Sequence, residues 1–306
     1  MTGPGNADLA SLLAAGERAA FHGPPAAAVP DLERAVVLAQ REGRHAEVTA
    51  AVWLLGVALS ASGRYGAGLR VLGPLVDAAD GSTPETRLFA SLAAATAASI
   101  HRGLGRHDAA QALDEIGLSL AGGMDEATFD ATLGLATDAV GLGDLDTARS
   151  RLDAAEELVV AHEADWWRQR VRFDWGRAEV ALLAGDAGEA VSAAATAVER
   201  AEGARAPRHV AKGLLFQGVA EVQSGRSEAT GTLRRAATLA EGLSALPVVW
   251  QARALLGALL DGTPGEESSR SLAAARSVVL TMAGDLPPEL RDEWLERPNV
   301  SALLEG

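Results

Sequence analysis

The stretch Leu55-Gly56-Val57-Ala58-Leu59-Ser60-Ala61-Ser62-Gly63-Arg64-Tyr65 places a helix-forming run rich in Ala and Leu directly before a glycine. The 306-residue chain repeats this arrangement at intervals of 40, 42, 38, 42 and 40 residues, with anchor glycines at Gly23, Gly63, Gly105, Gly143, Gly185 and Gly225. Strands favour β-branched and aromatic residues, and only 4% of the residues are aromatic. A fixed period of this length in a helix-forming sequence predicts an α-solenoid.

Small residues recur at fixed distances from the anchor glycines. Seven positions earlier, in all copies but a shortened last one, stand Gly16, Gly56, Ala98, Ala136, Ala178, Gly218 and Gly257. Five positions later stand Ala28, Gly68, Ala110, Ala148 and Ala190, with Ala229 shifted by one. Small side chains let two helices approach closely, and a glycine suits the left-handed backbone at a helix end. The pattern therefore predicts a series of packed helix pairs.

This pattern resembles the tetratricopeptide repeat (TPR) family, whose helix pair carries small residues at its eighth, twentieth and twenty-seventh positions. The segment from Leu55 to Tyr65 is the nearest match, and the resemblance covers about residues 9–280. The period exceeds the family's usual length of about 34 residues. Leu59, His101 or Ala181 replaces the aromatic residue often found near the eleventh position. The resemblance implies an all-α, right-handed α-solenoid of about seven helix pairs with C-terminal capping helices.

The implied organisation is an N-terminal tail at 1–8, a solenoid at 9–280 and capping helices at 281–306. The seven units are predicted near 9–48, 49–90, 91–128, 129–170, 171–210, 211–249 and 250–280. The end of the chain also resembles the closing segment of TPR arrays in bacterial signal-transduction ATPases and transcriptional activators, through Leu290-Arg291, Trp294-Leu295, Pro298 and Leu303-Leu304. The sequence contains neither a phosphate-binding Gly-rich loop nor a recognisable DNA-reading helix-turn-helix.

Composition restricts the partners and the compartment. The net charge of −14 argues against a general role in binding nucleic acid or anionic membranes, since both need clustered cations. The chain lacks cysteine, a recognisable secretory signal and any uninterrupted apolar run of about 18 residues. We therefore expect a cytoplasmic protein that binds neither nucleic acid nor membrane.

Residue patterns for catalysis or metal binding are weak. The six histidines are scattered, and none forms a two-His pair at helical ligand spacing with a carboxylate. No Gly-x-Ser-x-Gly nucleophile motif occurs. We therefore predict no catalytic residues, no metal site, no cofactor and no enzymatic activity.

The segment 165–177 is the least generic part of the sequence, because it holds three of the six tryptophans and four arginines. Trp and Arg are enriched at binding hot spots, so Trp166, Trp167 and Arg168 are a candidate surface patch. Alternatively, Trp166 and Trp167 fill a corner between repeats, and the arginines cover the surface with their stems. Both interpretations remain open from the sequence.

In the TPR family, the first helix of each pair lines a concave groove through defined positions. Carried onto this chain, these positions identify a candidate groove of aromatic, aliphatic and charged residues: Trp53, Asp130, Leu133, Arg172, Trp175, Glu179, Lys212 and Leu215. The set does not match the Lys, Asn and Arg pattern with which some family members clamp a peptide carboxylate. It places the charges around Trp175.

The leading hypothesis for function is a scaffold or adaptor, regulatory in role, that binds a peptide or helix of a partner protein in the concave groove. The alternative is a sensor of a small molecule or short peptide, with a pocket around Trp175. An atypical helical enzyme is a third possibility. A monomer is narrowly favoured, and a homodimer stays open.

Overall fold

The computed structural model describes residues 8–78, 83–162, 164–262 and 265–305. Residues 1–7 of the predicted N-terminal tail lie outside this part. The described residues form sixteen α-helices: α1 Leu9–His22, α2 Pro25–Arg41, α3 His45–Ala61, α4 Tyr65–Asp77, α5 Pro84–Gly103, α6 His107–Ala121, α7 Asp125–Leu142, α8 Leu145–Ala161, α9 Trp167–Leu183, α10 Ala187–Gly203, α11 Pro207–Gln223, α12 Ala229–Gly242, α13 Leu246–Leu259, α14 Glu267–Asp285, α15 Pro288–Leu295 and α16 Pro298–Glu305.

The helices pack in chain order as an all-α solenoid. Each odd-numbered helix from α1 to α13 packs against the even-numbered helix that follows it, and short turns make each pair a hairpin. The odd-numbered helices also contact one another in succession, so they form one continuous inner layer. The predicted fold class, a helical repeat solenoid, is confirmed.

The contact inside each pair explains the recurring small residues, all of which are buried. Leu32 of α2 lies so close to Gly16 of α1 that an added Cβ would stand 2.4 Å from its side chain. The next pair repeats this contact at the same sequence separation of sixteen residues, because a Cβ added to Gly56 would lie 2.3 Å from the side chain of Leu72. A leucine of the second helix therefore fills the space that the glycine of the first helix leaves.

The anchor glycines end the first helices in a left-handed backbone, as for Gly63 with φ of 81° and Gly143 with φ of 77°. Gly23 differs from this expectation, because its φ of −138° is extended. Pro24 follows it, and a proline disfavours helical backbone in the residue before it. The first turn is therefore made by the Pro24-Pro25 sequence instead.

In the described pairs, most first helices start about one turn before the predicted unit boundaries. For example, α9 begins at Trp167 and α11 at Pro207, whereas the units were placed at 171 and 211. The predicted unit boundaries stay a proposal. The repeats are numbered by helix pairs, so that α1 and α2 form the first repeat and α13 and α14 the seventh.

The solenoid curls far enough to contact itself. Helix α1 packs against α11, and α4 packs against α14. At the second contact, the Ala67 backbone N–H donates to the Asp285 carboxylate at 3.0 Å. We call this contact between α4 and the end of α14 the seam. It joins the second repeat to the seventh and makes the superhelix a closed body.

Helices α15 and α16 extend the seam to the third repeat. Arg106, in the turn between α5 and α6, pairs with Glu293 of α15 at 3.0 Å. Trp294 is 2% exposed and packs edge-on against Trp250 of α13, with ring centroids 6.2 Å apart. The same hydrophobic cluster includes residues of α1 to α5, so the core is continuous from the first repeats to the last.

Within the ranges that the structure describes, no helix combines the length and apolar character needed to cross a membrane.

The seam gives a testable prediction at Gly66. An added Cβ there would lie 2.0 Å from the backbone oxygen of Asp285, which cannot move without shifting the end of α14. We expect Gly66→Ala to lower the free energy of unfolding by about 1–3 kcal/mol, the usual cost of overpacking. Urea unfolding followed by circular dichroism measures this change.

Gly73 on the same helix is the matched control, because nothing lies within 4 Å of its added Cβ. Gly73→Ala should leave the stability unchanged or raise it by up to about 1 kcal/mol, since alanine favours helix over glycine. Equal effects of the two substitutions would contradict the seam.

Candidate binding cavity

The inner layer encloses a cavity. Its main part has a volume of about 330 Å³ and takes side chains from α5, α7, α9, α11 and α13. A smaller part of about 110 Å³ adjoins it toward α1 and α3. The two parts share lining residues of α9 and α11, among them Arg172, Trp175 and Lys212. We call the two parts together the interior cavity.

Trp175 of α9 forms the aromatic wall of the interior cavity. Its ring stacks on His209 of α11 at a centroid distance of 5.4 Å, and it is only 5% exposed. The Lys212 ammonium lies 4.7 Å from the Trp175 ring centroid and 5.5 Å from that of Phe216, both within cation–π range. The wall therefore combines a flat apolar surface with a cation.

Three successive first helices carry charged pairs at equivalent positions, four residues apart. These pairs are Glu126 and Asp130 on α7, Arg168 and Arg172 on α9, and Arg208 and Lys212 on α11. We call them the charge row. Residues four apart lie on one helix face, so each pair presents both charges together.

The acids of α7 pair with the arginines of α9. Arg168 donates to Glu126 at 3.0 Å and to Asp130 at 3.3 Å, while Arg172 donates to Asp130. Burial opposes the charge on Arg168, but Asp130 and Glu126 outweigh it and raise its pKa. The pKa of Arg172 is lowered by burial, which its single acid does not fully offset.

The cations of α11 lack such partners. No carboxylate of the described residues lies within ion-pair distance of Arg208 or Lys212. Burial, together with repulsion from Arg168 and Arg172, lowers the pKa of Arg208 to about 10. Burial lowers the pKa of Lys212 to about 8, although Glu179 partly compensates. Both side chains are more costly to charge here than in water.

A second buried ionic cluster is formed by Arg102, which lines the interior cavity, and two aspartates behind it. Arg102 of α5 donates to Asp114 of α6 and, at 3.0 Å, to Asp138 of α7. Both carboxylates are buried, with exposures of 0% and 1%. Burial raises the pKa of each carboxyl above its usual range, and Arg102 opposes that rise. One guanidinium therefore holds two buried carboxyls and three helices together.

Most of the residues expected in the groove line the interior cavity: Asp130, Leu133, Arg172, Trp175, Glu179, Lys212 and Leu215. Trp53 is the exception, because it does not line the interior cavity. It is 9% exposed, donates from Nε1 to Thr96 at 3.2 Å and packs against Phe21 and Phe89. Trp53 therefore supports the cavity without lining it.

The candidate surface patch has a different setting from the one its name implies, because all three residues are half-buried. Trp166 stacks on His162 with centroids 4.1 Å apart, and Trp167 contacts His22 and His209. Arg168 faces the interior cavity, where its guanidinium lies 5.7 Å from the Phe21 ring centroid. These contacts correspond to packing between repeats, and Trp167 joins the first repeat to the fifth and sixth.

Sequence reasoning missed several cavity residues, among them Arg102, Arg208 and His209. Arg208 and His209 stand in the first turn of α11, before the predicted start of their unit, so the groove positions did not reach them. A signal was present, because Arg168 and Arg208 are 40 residues apart, as are Arg172 and Lys212. Aligning α9 with α11 by that interval, and α7 with α9 by an interval of 42 residues, would have predicted the charge row.

A second cavity of about 700 Å³ lies beside the seam, between α13, the α5–α6 turn and the C-terminal helices, and it shares the lining residues Arg102, Gly103, His107 and Gln251 with the interior cavity. Apolar side chains, among them Trp250, Trp294 and Leu272, form much of its wall. Among the described residues, no group of three or more His, Asp or Glu side chains is placed to hold a metal ion.

No protein-family model matches the sequence, and no curated protein matches it. Among solved structures, the fold is similar to that of a Rap protein complexed with competence and sporulation factor. The TM-score is 0.64 at 12% sequence identity, and the alignment covers 96% of this chain and 80% of the other. At this identity the similarity is one of fold, and it supports a TPR-like helical repeat.

Replacing Arg102 tests the cluster with Asp114 and Asp138. Arg102→Met leaves two buried carboxyls without a cation, so we expect a loss of about 3–5 kcal/mol in the free energy of unfolding near pH 7.5. A carboxyl whose folded pKa exceeds its unfolded value loses stability as the pH rises through the folded pKa. The deficit should therefore shrink as the pH is lowered toward 4.5.

Denaturant unfolding of both proteins at several pH values measures this effect. Arg235→Met is the control, because the side chain of Arg235 is 66% exposed and pairs only loosely with Glu202. A deficit of Arg102→Met that is independent of pH would contradict the account of the two buried carboxyls.

The pKa of Lys212 can be measured directly, because it is the only lysine. Reductive methylation with ¹³C-formaldehyde labels Lys212 and the N-terminal amine, and an NMR titration then follows Lys212 alone. We expect a midpoint near 8, against 10.5 for a free lysine.

Glu179→Gln should lower this midpoint further, because Glu179 is the acid that favours the charged form of Lys212. A midpoint near 10.5 in the unsubstituted protein would mean that Lys212 points into solvent.

Proposed function

We propose that this chain is a non-enzymatic, TPR-like adaptor of the cytoplasm that regulates a partner protein by binding an extended peptide segment of it in the interior cavity. The observation that carries the proposal is the interior cavity itself. Five successive inner helices supply its lining, with an aromatic wall at Trp175, aliphatic side chains at Leu133 and Leu215, and a few charged groups. Ligand sites in proteins typically combine apolar walls with a small number of placed polar groups.

The size of the interior cavity favours an extended segment over a helix. One turn of α-helix about 10 Å wide and 5.4 Å high has a volume of about 400 Å³. The main part of the cavity measures about 330 Å³. A helix of several turns exceeds this volume. A segment of a few residues fits, and so short a segment does not form a stable helix by itself, so we expect it to bind in an extended conformation.

The similar Rap protein is complexed with competence and sporulation factor, which supports a ligand-binding role for a solenoid of this kind. The scattered distribution of exposed apolar side chains supports a monomer. The two most exposed of these side chains are Val160 on α8, at 68%, and Leu280 on α14, at 56%, and they lie on different helices. Stable interfaces need a contiguous apolar patch.

A second candidate is a sensor of a small molecule. The cavity of about 700 Å³ beside the seam supports it, because that volume and its largely apolar wall suit a drug-sized ligand. A metabolite bound there would bridge α13 and the C-terminal helices.

The test uses affinity selection. The purified chain is incubated with a random pentapeptide library, the retained peptides are identified by mass spectrometry, and their affinities are measured by calorimetry. We expect Trp175→Leu to weaken binding by about tenfold or more, because it removes the flat ring while keeping an apolar side chain.

Trp166→Leu is the matched control, since Trp166 is half-buried and does not line the interior cavity. It should bind the selected peptides like the unsubstituted chain, and thermal unfolding confirms that both variants are folded. If no peptide is retained, the proposal fails. Native mass spectrometry of the chain purified from cells that naturally produce it would then identify a bound metabolite, the outcome that favours the sensor.

A further inference from the structure

Charge compensation along the charge row stops at α11. The two acids of α7 serve the two arginines of α9, which leaves Arg208 and Lys212 without a carboxylate in ion-pair contact among the described residues. The next inner helix does not supply one either, because Pro247 and Gln251 of α13 occupy the equivalent positions. The excess positive charge therefore faces the interior cavity.

Four charged groups influence Lys212 across the cavity. Glu179 of α9 attracts it, whereas Arg172 of α9, Arg208 of α11 and Arg102 of α5 repel it. Arg102 is held by its two buried aspartates, and Arg172 by Asp130. Glu179 is thus the single remaining acid against two unpartnered cations. Among these three groups alone, Glu179, Arg208 and Lys212, the charges sum to one positive charge.

Unsatisfied hydrogen-bonding atoms surround the same place. Arg208 Nε, Trp175 Nε1 and His209 Nδ1 are buried and have no hydrogen-bond partner among the described residues. His209 is 2% exposed, and burial together with the neighbouring cations keeps its pKa well below the usual range. Buried polar atoms are normally paired, so an unpaired group of this kind indicates a place for a ligand.

We propose that Arg172, Arg208 and Lys212 form an anion subsite in the interior cavity that binds a carboxylate of the peptide ligand. This inference rests on the proposed function and names the chemistry of its ligand. A carboxylate carries one negative charge and accepts hydrogen bonds from a guanidinium and an ammonium. It is the anion that a peptide itself carries, and it offsets the one positive charge that Glu179 leaves on Arg208 and Lys212.

Holding two such cations costs stability in the free protein, because burial without a partner penalises the charged form of each. Ligand binding would remove that cost by supplying the missing anion. The carboxylate can come from the C-terminus of the peptide or from an Asp or Glu side chain. The experiment therefore uses libraries that separate the two sources.

Two pentapeptide libraries are selected against the full chain: one with free C-terminal carboxylates and one with amidated C-termini, both N-acetylated. Enrichment of the free acids assigns the chain end as the source of the carboxylate. Enrichment of Asp and Glu in the amidated library assigns the side chain. Either result supports the subsite, and retention of peptides without either preference overturns it while leaving the proposed function intact.

The variants Arg208→Gln and Lys212→Gln test the residues. Each should weaken binding of the selected acidic peptides by about tenfold or more, since hydrogen bonds to charged groups are worth that much. The thermal midpoint of free Arg208→Gln should equal or exceed that of the unsubstituted chain, because a buried charge without an ion-pair partner is removed. Arg235→Gln, which changes an exposed arginine, is the control for both measurements. Unchanged affinity in both cavity variants overturns the assignment.

A second measurement does not depend on peptides. In the chain with ¹³C-methylated Lys212, sodium acetate should raise the pKa of Lys212 more than sodium chloride of equal ionic strength, and Arg208→Gln should reduce the difference. If no library peptide is retained, the proposed function fails and this titration decides the subsite. Equal effects of acetate and chloride overturn it.

Discussion

The close approach of the two helices in each pair is the constraint on which the structure depends. Where Leu72 presses against Gly56, or Leu32 against Gly16, the absence of a side chain on one helix sets the distance to the other. The contact recurs between Gly218 and Leu233 and between Gly257 and Leu272, and alanine takes the place of the glycine in the other three pairs.

The net charge of the charge row is opposite in sign to that of the whole chain. The chain carries a net charge of −14, yet its inner helices place four cations of the charge row around one cavity. Two of them are neutralised by α7, and two are not. An acidic surface with a cationic interior separates the two parts of the molecule electrostatically.

The sequence predicted the local architecture well because that architecture depends on single positions. Gly56, Ala98 and Gly218 are identifiable as helix contacts from their spacing alone, and Trp175 was placed beside the cavity by the same frame. Arg208 was missed because helix starts are poorly defined by repeats, and the frame began one turn inside α11. The contacts of Trp167 with His22 and His209 were beyond prediction, since they join residues in different repeats. Such contacts depend on the summed rotation of every pair between them.

The seam between α4 and α14 distinguishes this repeat protein from an open solenoid. In an open solenoid each repeat contacts only its neighbours, so unfolding can begin at either end and spread one unit at a time. Here the second repeat is held by the seventh and the first by the sixth. These contacts couple the two ends, so we expect the whole array to unfold as one cooperative unit. Its formation requires contacts between residues more than 200 positions apart, such as Ala67 and Asp285, which makes folding slower than for a linear array of equal length.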